Sequence, residues 1–304
     1  MRDWSERMGR ASNAVGQSLL TFSRGRIGPV PRGLAAGAVL VVAAGAVVVA
    51  TISSNSGAAH GSPGPGTGEQ IVQPVRVSAA QFAQLPRATT FTSIPAAPLD
   101  STPVAATSGL VVRPLTPQVV YAGPGRPPIA VLPASELGGP TWVPVVQTSP
   151  GWERVLLPSR PNQATGWIYT GGANATQLDT RRSPYLVRID VAARRLSVFL
   201  SGRSLGTWTV AVGEPRTPTP TGRTFVMALL APPHPTFSPL ILPLGLHSNT
   251  LTTFGGGPGT VGIHGWPSTS VFGRADSHGC VRVPKAALTI LSRAPLGTLV
   301  LISH

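Results

Sequence analysis

The chain has one cysteine, one lysine and only ten acidic residues among 304. A single cysteine excludes an intramolecular disulfide, and no CxxC pair of the kind that holds structural zinc is present. The composition is also unsuited to a helix-rich protein, because it contains 35 glycines and 33 prolines. Strands, turns and linkers are therefore expected to dominate.

The chain has 24 lysine and arginine residues against 10 aspartate and glutamate residues, which gives a formal net charge of +14. The arginines are scattered, and no basic run alternates with aromatic residues, so a nucleic-acid partner is not predicted. A basic surface that faces an anionic polymer or a membrane surface fits the charge equally well.

Residues 33–52 form an uncharged run, GLAAGAVLVVAAGAVVVATI. Twenty helical residues cover roughly 30 Å, the thickness of a bilayer core. The preceding residues carry six arginines against two acids, which predicts a cytoplasmic segment 1–32 and an extracytoplasmic remainder. A cleaved signal peptide is the alternative. The long apolar run and the many residues before it favour an uncleaved, single-pass membrane anchor.

Composition divides the rest of the chain into three parts. Residues 53–108 are rich in Ser, Pro, Ala, Thr and Gly, and they are predicted to be a flexible linker. Residues 109–171 contain the short runs LVVRPL, TWVPVVQ, WERVLL and TGWIYT, which predict a small β-barrel or sandwich. This stretch resembles bacterial SH3-like modules. Its tryptophans are expected to be core residues, with an aromatic binding groove as the alternative.

Residues 184–303 are predicted to form a second, larger domain. YLVRID, RLSVFL, LGTWTVAV and RTFVMALL are strand candidates, and GTLVLIS is a final buried strand. Residues 231–260 show little periodicity and are predicted to be a long lid or binding loop. A short helix should follow Pro284. The fold class is therefore mainly β, with one or two short helices.

The only cysteine, Cys280, lies in the stretch RADSHGCVRV. A buried core thiol is one interpretation, but the neighbouring residues are not apolar. A metal site of His264, His278 and Cys280 is another, but the spacing lacks a second ligand pair, and no metal or other cofactor is predicted. The third is a nucleophile, which needs a base and donors for an oxyanion.

For a nucleophile, His264 is the candidate base and His278 a candidate for stabilising the reacting group. Gly279 leaves the backbone open, so that the amides of Gly279 and Cys280 can point at an oxyanion. The group that orients His264 is either Asp276 or the carbonyl of Gly265. If His264 activates the thiol, activity should rise through the ordinary histidine pKa of about 6.5.

Arg282 is predicted to bind a substrate carboxylate, with a plain surface arginine as the alternative.

These motifs resemble the L,D-transpeptidase (YkuD-type) family. The resemblance lies in IHG at 263–265, SHGCVR at 277–282, and the upstream stretch LSVFLSGRSLGTWTVAVGEPRTPTPTGRTFVM. It implies a β-rich catalytic sandwich acting on peptidoglycan stem peptides as donor and acceptor. It also implies that Cys280 forms a thioester with His264 as base, and that His278 and Gly279 line the oxyanion site beside Ser277.

The resemblance implies an enzyme that forms 3→3 crosslinks and is acylated by carbapenems, and the predicted anchor makes it a membrane-anchored one. Two alternatives remain. Water in place of an amine would make the protein an L,D-carboxypeptidase. Loss of activity would leave a non-catalytic cell-wall-binding protein, which the basic charge and the SH3-like module also suit.

Overall fold

Residues 71–304 are described by a computed structural model, in which the first domain is a module of nine strands. The module's strands are β1 (Leu110–Pro114), β2 (Gln118–Tyr121), β3 (Pro128–Leu132), β4 (Ser135–Glu136), β5 (Gly139–Pro140), β6 (Val143–Ser149), β7 (Trp152–Leu156), β8 (Thr165–Tyr169) and β9 (Leu178–Arg182). Seven form one sheet in the order β3-β2-β8-β7-β6-β1-β9, and β4 pairs with β5. The resemblance to SH3-like modules stays a prediction.

Strand β9 extends this module past residue 171, where the sequence predicted that it would end. All five of its residues pair antiparallel with β1, from Leu110 opposite Arg182 to Pro114 opposite Leu178. The strand was missed because LDTRR is polar and almost wholly exposed, so it has no apolar alternation to signal an edge strand.

The segment before the module, residues 71–108, is called the strap below. It contains one helix, α1 (Ala79–Gln84), which Ser78 and Gln81 begin with a capping box. Isolated bridges join the strap to the module at Arg87, Ser93 and Leu99.

The prediction of a flexible linker is therefore wrong for residues 71–108. Its physical basis, too little apolar surface, overlooked Ala88, Ile94 and Ala97, which are buried in the module's core.

The first residues of the strap lie across aromatic side chains of the module. The Trp152 indole N–H donates to Val72 O at 2.7 Å, and the Tyr121 hydroxyl donates to Val75 O at 3.1 Å. Trp152 is 1% exposed and packs with Tyr121 and Trp167. The module's tryptophans are thus buried as predicted, and the strap covers the cluster that contains Trp152.

The second domain contains the remaining strands and the helix α2 (Lys285–Leu291). Its strands are β10 (Tyr185–Asp190), β11 (Arg195–Leu200), β12 (Arg203–Thr209), β13 (Val212–Gly213), β14 (Gly222–Phe225), β15 (Ile241–His247), β16 (Thr260–Gly265), β17 (Ala275–Ser277), β18 (Val281–Val283) and β19 (Leu299–Ser303). They form sheets in the orders β12-β11-β10-β19-β14, β15-β16-β18 and β13-β17. A short 3₁₀ helix, Thr269–Val271, lies before β17, and another, Gly172–Gln177, lies in the first module before β9.

Two of these sheets face each other across one apolar core. Val187 and Val198 reach it from the five-stranded sheet, Leu244 and Ile263 reach it from the three-stranded sheet, and Leu291 of α2 closes one side. The result is a mainly β sandwich with few helices, as the sequence predicted.

Strand β15 divides the predicted 231–260 loop into two separate loops. All seven residues of β15 are buried, and the strand pairs antiparallel with β16. The apolar run ILPLGLH has no alternation because it is covered on both faces, and Pro243 removes one ladder donor, so it did not resemble a strand.

Within residues 71–304, none of the helices has both the length and the apolar character needed to cross a bilayer. The predicted anchor, residues 33–52, and the segment before it lie outside the described residues.

Candidate active site

The turn between β17 and β18 carries Cys280, and Ser277 closes that turn. The Ser277 hydroxyl donates to Cys280 O at 2.6 Å and accepts from Gly279 N–H at 3.1 Å. Gly279 has a φ of +114°, which side chains rarely tolerate. Ser277 and Gly279 bend the chain so that the Cys280 thiol turns towards β16.

The thiol lies against β16, the strand that carries His264. The Gly262 N–H donates to Cys280 Sγ at 3.4 Å. Strands β16 and β18 run parallel, with Ile263 opposite Val281 and His264 opposite Arg282. Ile263 and Val281 point into the core, so His264 and Arg282 share the opposite face of this sheet, on which Gly262 also lies. The fold thus places the Cys280 thiol against the strand that carries His264, which lies sixteen positions earlier in the sequence.

His264 is oriented by a backbone carbonyl. Its Nδ1–H donates to Gly265 O at 2.7 Å, which leaves Nε2 as the ring atom able to accept a proton. Of the two orienting groups considered from sequence, Gly265 is in place. Asp276 instead pairs with Arg282, its Oδ1 lying 3.0 Å from Nη1.

Burial keeps both reacting groups neutral at rest. It lowers the pKa of His264 to about 4, an effect opposed by the Gly265 hydrogen bond and reinforced by the charge of Arg282. It raises the pKa of the Cys280 thiol, while the Gly262 N–H and Arg282 act in the opposite direction. With the pKa of His264 lowered to about 4, the rise of activity is expected at lower pH than the 6.5 that the ordinary histidine value suggested.

Arg282 is 9% exposed and already engaged. Its guanidinium carbon lies 3.8 Å from the centre of the Trp266 ring. The same guanidinium forms the ion pair with Asp276. Its Nε is buried without a hydrogen-bond partner among the described residues. The geometry favours a supporting role, in which the charge of Arg282 favours the thiolate of Cys280, over direct binding of a substrate carboxylate.

His278 points away from the thiol's buried surroundings. It is exposed, and its ring lies 5.2 Å from that of Phe254, which is itself half exposed. Of the two amides predicted to hold an oxyanion, that of Gly279 donates to Ser277. The Cys280 amide is the remaining backbone candidate. Within residues 71–304, no group of three or more His, Cys, Asp or Glu side chains is arranged to hold a metal ion.

Two threonines of the loop before β14 support the cysteine turn, and sequence reasoning did not assign them. Thr219 Oγ1 accepts from Gly213 N–H and donates to Gly279 O, both at 2.8 Å. Thr217 Oγ1 donates to Ser277 O at 3.1 Å. The stretch TPTPTG was noted as part of the family resemblance, but nothing in it indicated that its hydroxyls reach a turn sixty residues away.

The wall around His264 was also missed. The Phe237 ring lies 4.9 Å from the imidazole, edge to face, and Trp266 lies 6.0 Å from it. Ser238 Oγ accepts from Gly265 N–H at 2.8 Å and thereby anchors the residue whose carbonyl orients His264. A Cβ at Gly265 would lie 3.1 Å from that hydroxyl, so glycine leaves the space that Ser238 uses.

Sequence comparisons find known relatives of the domain that carries this site. The model of the YkuD L,D-transpeptidase catalytic domain matches residues 184–302. The YkuD protein of Bacillus subtilis (strain 168) is 30% identical over 122 residues, which is 40% of this chain and 67% of that protein.

Similar solved structures include an L,D-transpeptidase from Mycobacterium smegmatis, 16% identical with a TM-score of 0.35, covering 53% of this chain and 82% of that one. The catalytic domain of the E. faecium L,D-transpeptidase is 20% identical with a TM-score of 0.29, covering 40% and 98%. These low TM-scores add no weight to the assignment, which rests on the two sequence matches. The chain belongs to the YkuD-type L,D-transpeptidase family, which acts on peptidoglycan stem peptides, and residues 184–302 are its catalytic domain.

Proposed function

We propose that the chain is a membrane-anchored L,D-transpeptidase that forms 3→3 crosslinks through a cysteine thioester. One observation carries the proposal: Cys280 Sγ lies 3.4 Å from the backbone nitrogen of Gly262. Gly262 is in β16, two residues before His264. A thiol, an oriented imidazole and a constrained backbone turn on one sheet are the parts that acyl transfer needs.

In the first half of the reaction, Cys280 Sγ attacks the carbonyl carbon at the L-centre of a donor diaminopimelate residue. The thiol proton passes to His264 Nε2 as the carbon–sulfur bond forms, since both groups are neutral at rest. The tetrahedral intermediate collapses, the bond to the terminal D-alanine breaks, and the leaving amine takes the proton from His264. The product is a thioester.

In the second half, the side-chain amine of an acceptor diaminopimelate attacks the thioester carbon. His264 accepts a proton from that amine and returns it to the departing sulfur of Cys280. A 3→3 crosslink forms and the thiol is restored.

An extracytoplasmic location is part of the proposal. Residues 33–52 are long and apolar enough for a single membrane span, and six arginines precede them. Peptidoglycan lies on the side to which this orientation sends the catalytic domain. Protease accessibility in intact spheroplasts checks the orientation: residues 71–304 should be cleaved without lysis, and their protection would contradict it.

Acylation by a carbapenem tests the chemistry. The purified full chain should gain the mass of one carbapenem, and a Cys280→Ala variant should gain none. A mass shift that persists in that variant would refute the assignment of the nucleophile. Turnover of a disaccharide-tetrapeptide then separates the two enzymatic outcomes: a 3→3 dimer supports transpeptidation, whereas tripeptide monomer alone would indicate a carboxypeptidase.

A further inference from the structure

The loop of residues 248–259, called the lip loop below, borders the candidate active site. Its ends meet where Ser248 N–H donates to Gly259 O at 2.8 Å. At its tip, Phe254 and Gly257 exchange two backbone hydrogen bonds of 3.0 Å. The Phe254 ring is 48% exposed and lies 5.2 Å from the ring of His278, two residues before the nucleophile. The position of this loop therefore decides which surface a peptide meets beside Cys280.

An arginine of the module lies inside this loop. Arg160 Nη1 donates to Ser248 O at 3.1 Å, and Nη2 donates to Pro258 O at 3.0 Å and to Leu251 O at 3.4 Å. One planar guanidinium thus joins both ends of the lip loop and one residue of its interior. A lysine could not reproduce this, because its ammonium is a single point rather than a fork.

A second module residue fixes the base of the loop. Asn162 Oδ1 accepts from His247 N–H at 2.8 Å, and its Nδ2 donates to His247 O at 2.7 Å. The same Nδ2 also donates to Asn249 Oδ1 at 2.9 Å. The side-chain amide therefore continues the hydrogen bonding of β15 where that strand runs into the lip loop.

The strap holds the same junction from another side. His247 Nε2 donates to Thr90 O at 2.7 Å, and Thr90 Oγ1 lies 2.7 Å from Thr260 Oγ1. The strap also holds the backbone of Arg160: Arg160 N–H donates to Thr92 O at 3.0 Å, and Ile94 N–H donates to Arg160 O at 2.8 Å. Residues on both flanks of the lip loop are thus bound by groups that precede the catalytic domain in sequence.

We propose that Arg160 and Asn162 are positioning residues of the catalytic site, which hold the lip loop, and with it Phe254, where the donor stem peptide binds. The proposal rests on the proposed function. Its consequence is that the functional catalytic unit includes the strap and the module as well as residues 184–302.

The test compares Arg160→Ala with Arg154→Ala in the full chain. Arg154 is a matched control because it lies in the same module and also donates to three oxygens, those of Thr165, Gln147 and Leu99, none of them in the lip loop. Two substrates are used: a carbapenem, which needs little beyond the reacting groups, and a disaccharide-tetrapeptide, which extends across the lip.

For Arg160→Ala we expect kcat/KM for the tetrapeptide to fall by about ten- to a hundredfold, the usual cost of misplacing a bound substrate. The rate of carbapenem acylation should stay within about twofold of the wild-type rate, because the substitution leaves Cys280 and His264 in place and a displaced catalytic group would slow it far more. Arg160→Lys should not restore the loss. Amide hydrogen exchange in the lip loop should accelerate in Arg160→Ala and not in Arg154→Ala.

Equal losses for the two substrates, or the same behaviour in Arg160→Ala and Arg154→Ala, would overturn the proposal. If Arg160→Ala does not fold, Phe254→Ala replaces it, since this exposed tip residue can be removed without touching the core. It should show the same selective loss for the tetrapeptide, and unchanged tetrapeptide turnover would overturn the proposal. A wild-type chain that is never acylated refutes the proposed function instead, while hydrogen exchange still reports on the loop.

Discussion

Replacing Thr219 by valine should damage both the stability of the catalytic domain and the reactivity of its cysteine. Thr219 is 2% exposed, and its hydroxyl bonds Gly213 N–H and Gly279 O at once. Valine has nearly the same shape, so the change removes two hydrogen bonds without opening a cavity. It leaves two buried backbone groups without a partner.

The expected size follows from these two groups. An unpaired buried donor or acceptor costs about 1–3 kcal/mol, so the free energy of unfolding should fall by about 2–6 kcal/mol. The rate effect has a separate cause. Gly279 O belongs to the same peptide unit as the Cys280 N–H, so holding the carbonyl also aims the amide that is the remaining oxyanion candidate. Removal of one such donor typically slows acyl transfer by about a hundred- to a thousandfold.

Urea unfolding and the rate of carbapenem acylation measure the two effects separately. Thr224→Val is the matched control, since Thr224 is 1% exposed and its hydroxyl has no partner among the described residues. Thr219→Ser keeps the hydroxyl and should retain most of the acylation rate. The reasoning is refuted if Thr219→Val and Thr224→Val have the same stability and the same rate of acylation.

Three further outcomes are expected. The acid limb of the acylation rate should lie near pH 4, because the pKa of His264 is lowered to about 4; a limb centred at the ordinary histidine value would contradict this. Burial raises the pKa of Glu136 from 4.5 to about 7. Ionisation of Glu136 therefore lowers the stability of the folded protein above pH 7, and it has no effect below pH 4.5, where the carboxyl is protonated in both states. Glu136→Gln should therefore raise the free energy of unfolding by about 3 kcal/mol at pH 8 and leave it unchanged at pH 4 in urea titrations; equal effects at both pH values would count against it. Asp100→Ala should lower the free energy of unfolding by about 3–5 kcal/mol, because it leaves the buried charge of Arg223 without its partner. Asp179→Ala removes an exposed ion pair with Arg113 and should lower it by less than about 1 kcal/mol. Similar losses in urea titrations of the two variants would contradict this difference.

The strands of the catalytic domain were predictable where one face is buried and the other is not. Tyr185–Asp190 and Arg195–Leu200 match the runs YLVRID and RLSVFL residue for residue. Strands β9 and β15 were not predictable by the same rule, since one is exposed on both faces and the other buried on both. Alternation reports a difference between two faces, and neither strand has one.

The two residues proposed to react could be selected from the sequence because their signal is local. Cys280 lies within a six-residue motif, and His264 lies in a second short motif sixteen residues earlier. The residues that hold them were not predictable in this way. Thr219 reaches Gly279 across sixty positions, and Arg160 reaches Pro258 across ninety-eight, and no local pattern distinguishes these from other threonines and arginines.

If the proposed anchor is present, the contact of the strap's first residues with Trp152 and Tyr121 sets how far the catalytic domain can lie from the bilayer. Only residues 53–70, eighteen in number, separate the end of the predicted anchor from Ile71, where the sequence had suggested fifty-six. Even fully extended, eighteen residues reach only about 60 Å. An anchored enzyme of this design would therefore reach only peptidoglycan within about that distance of the membrane, plus the size of the folded domains.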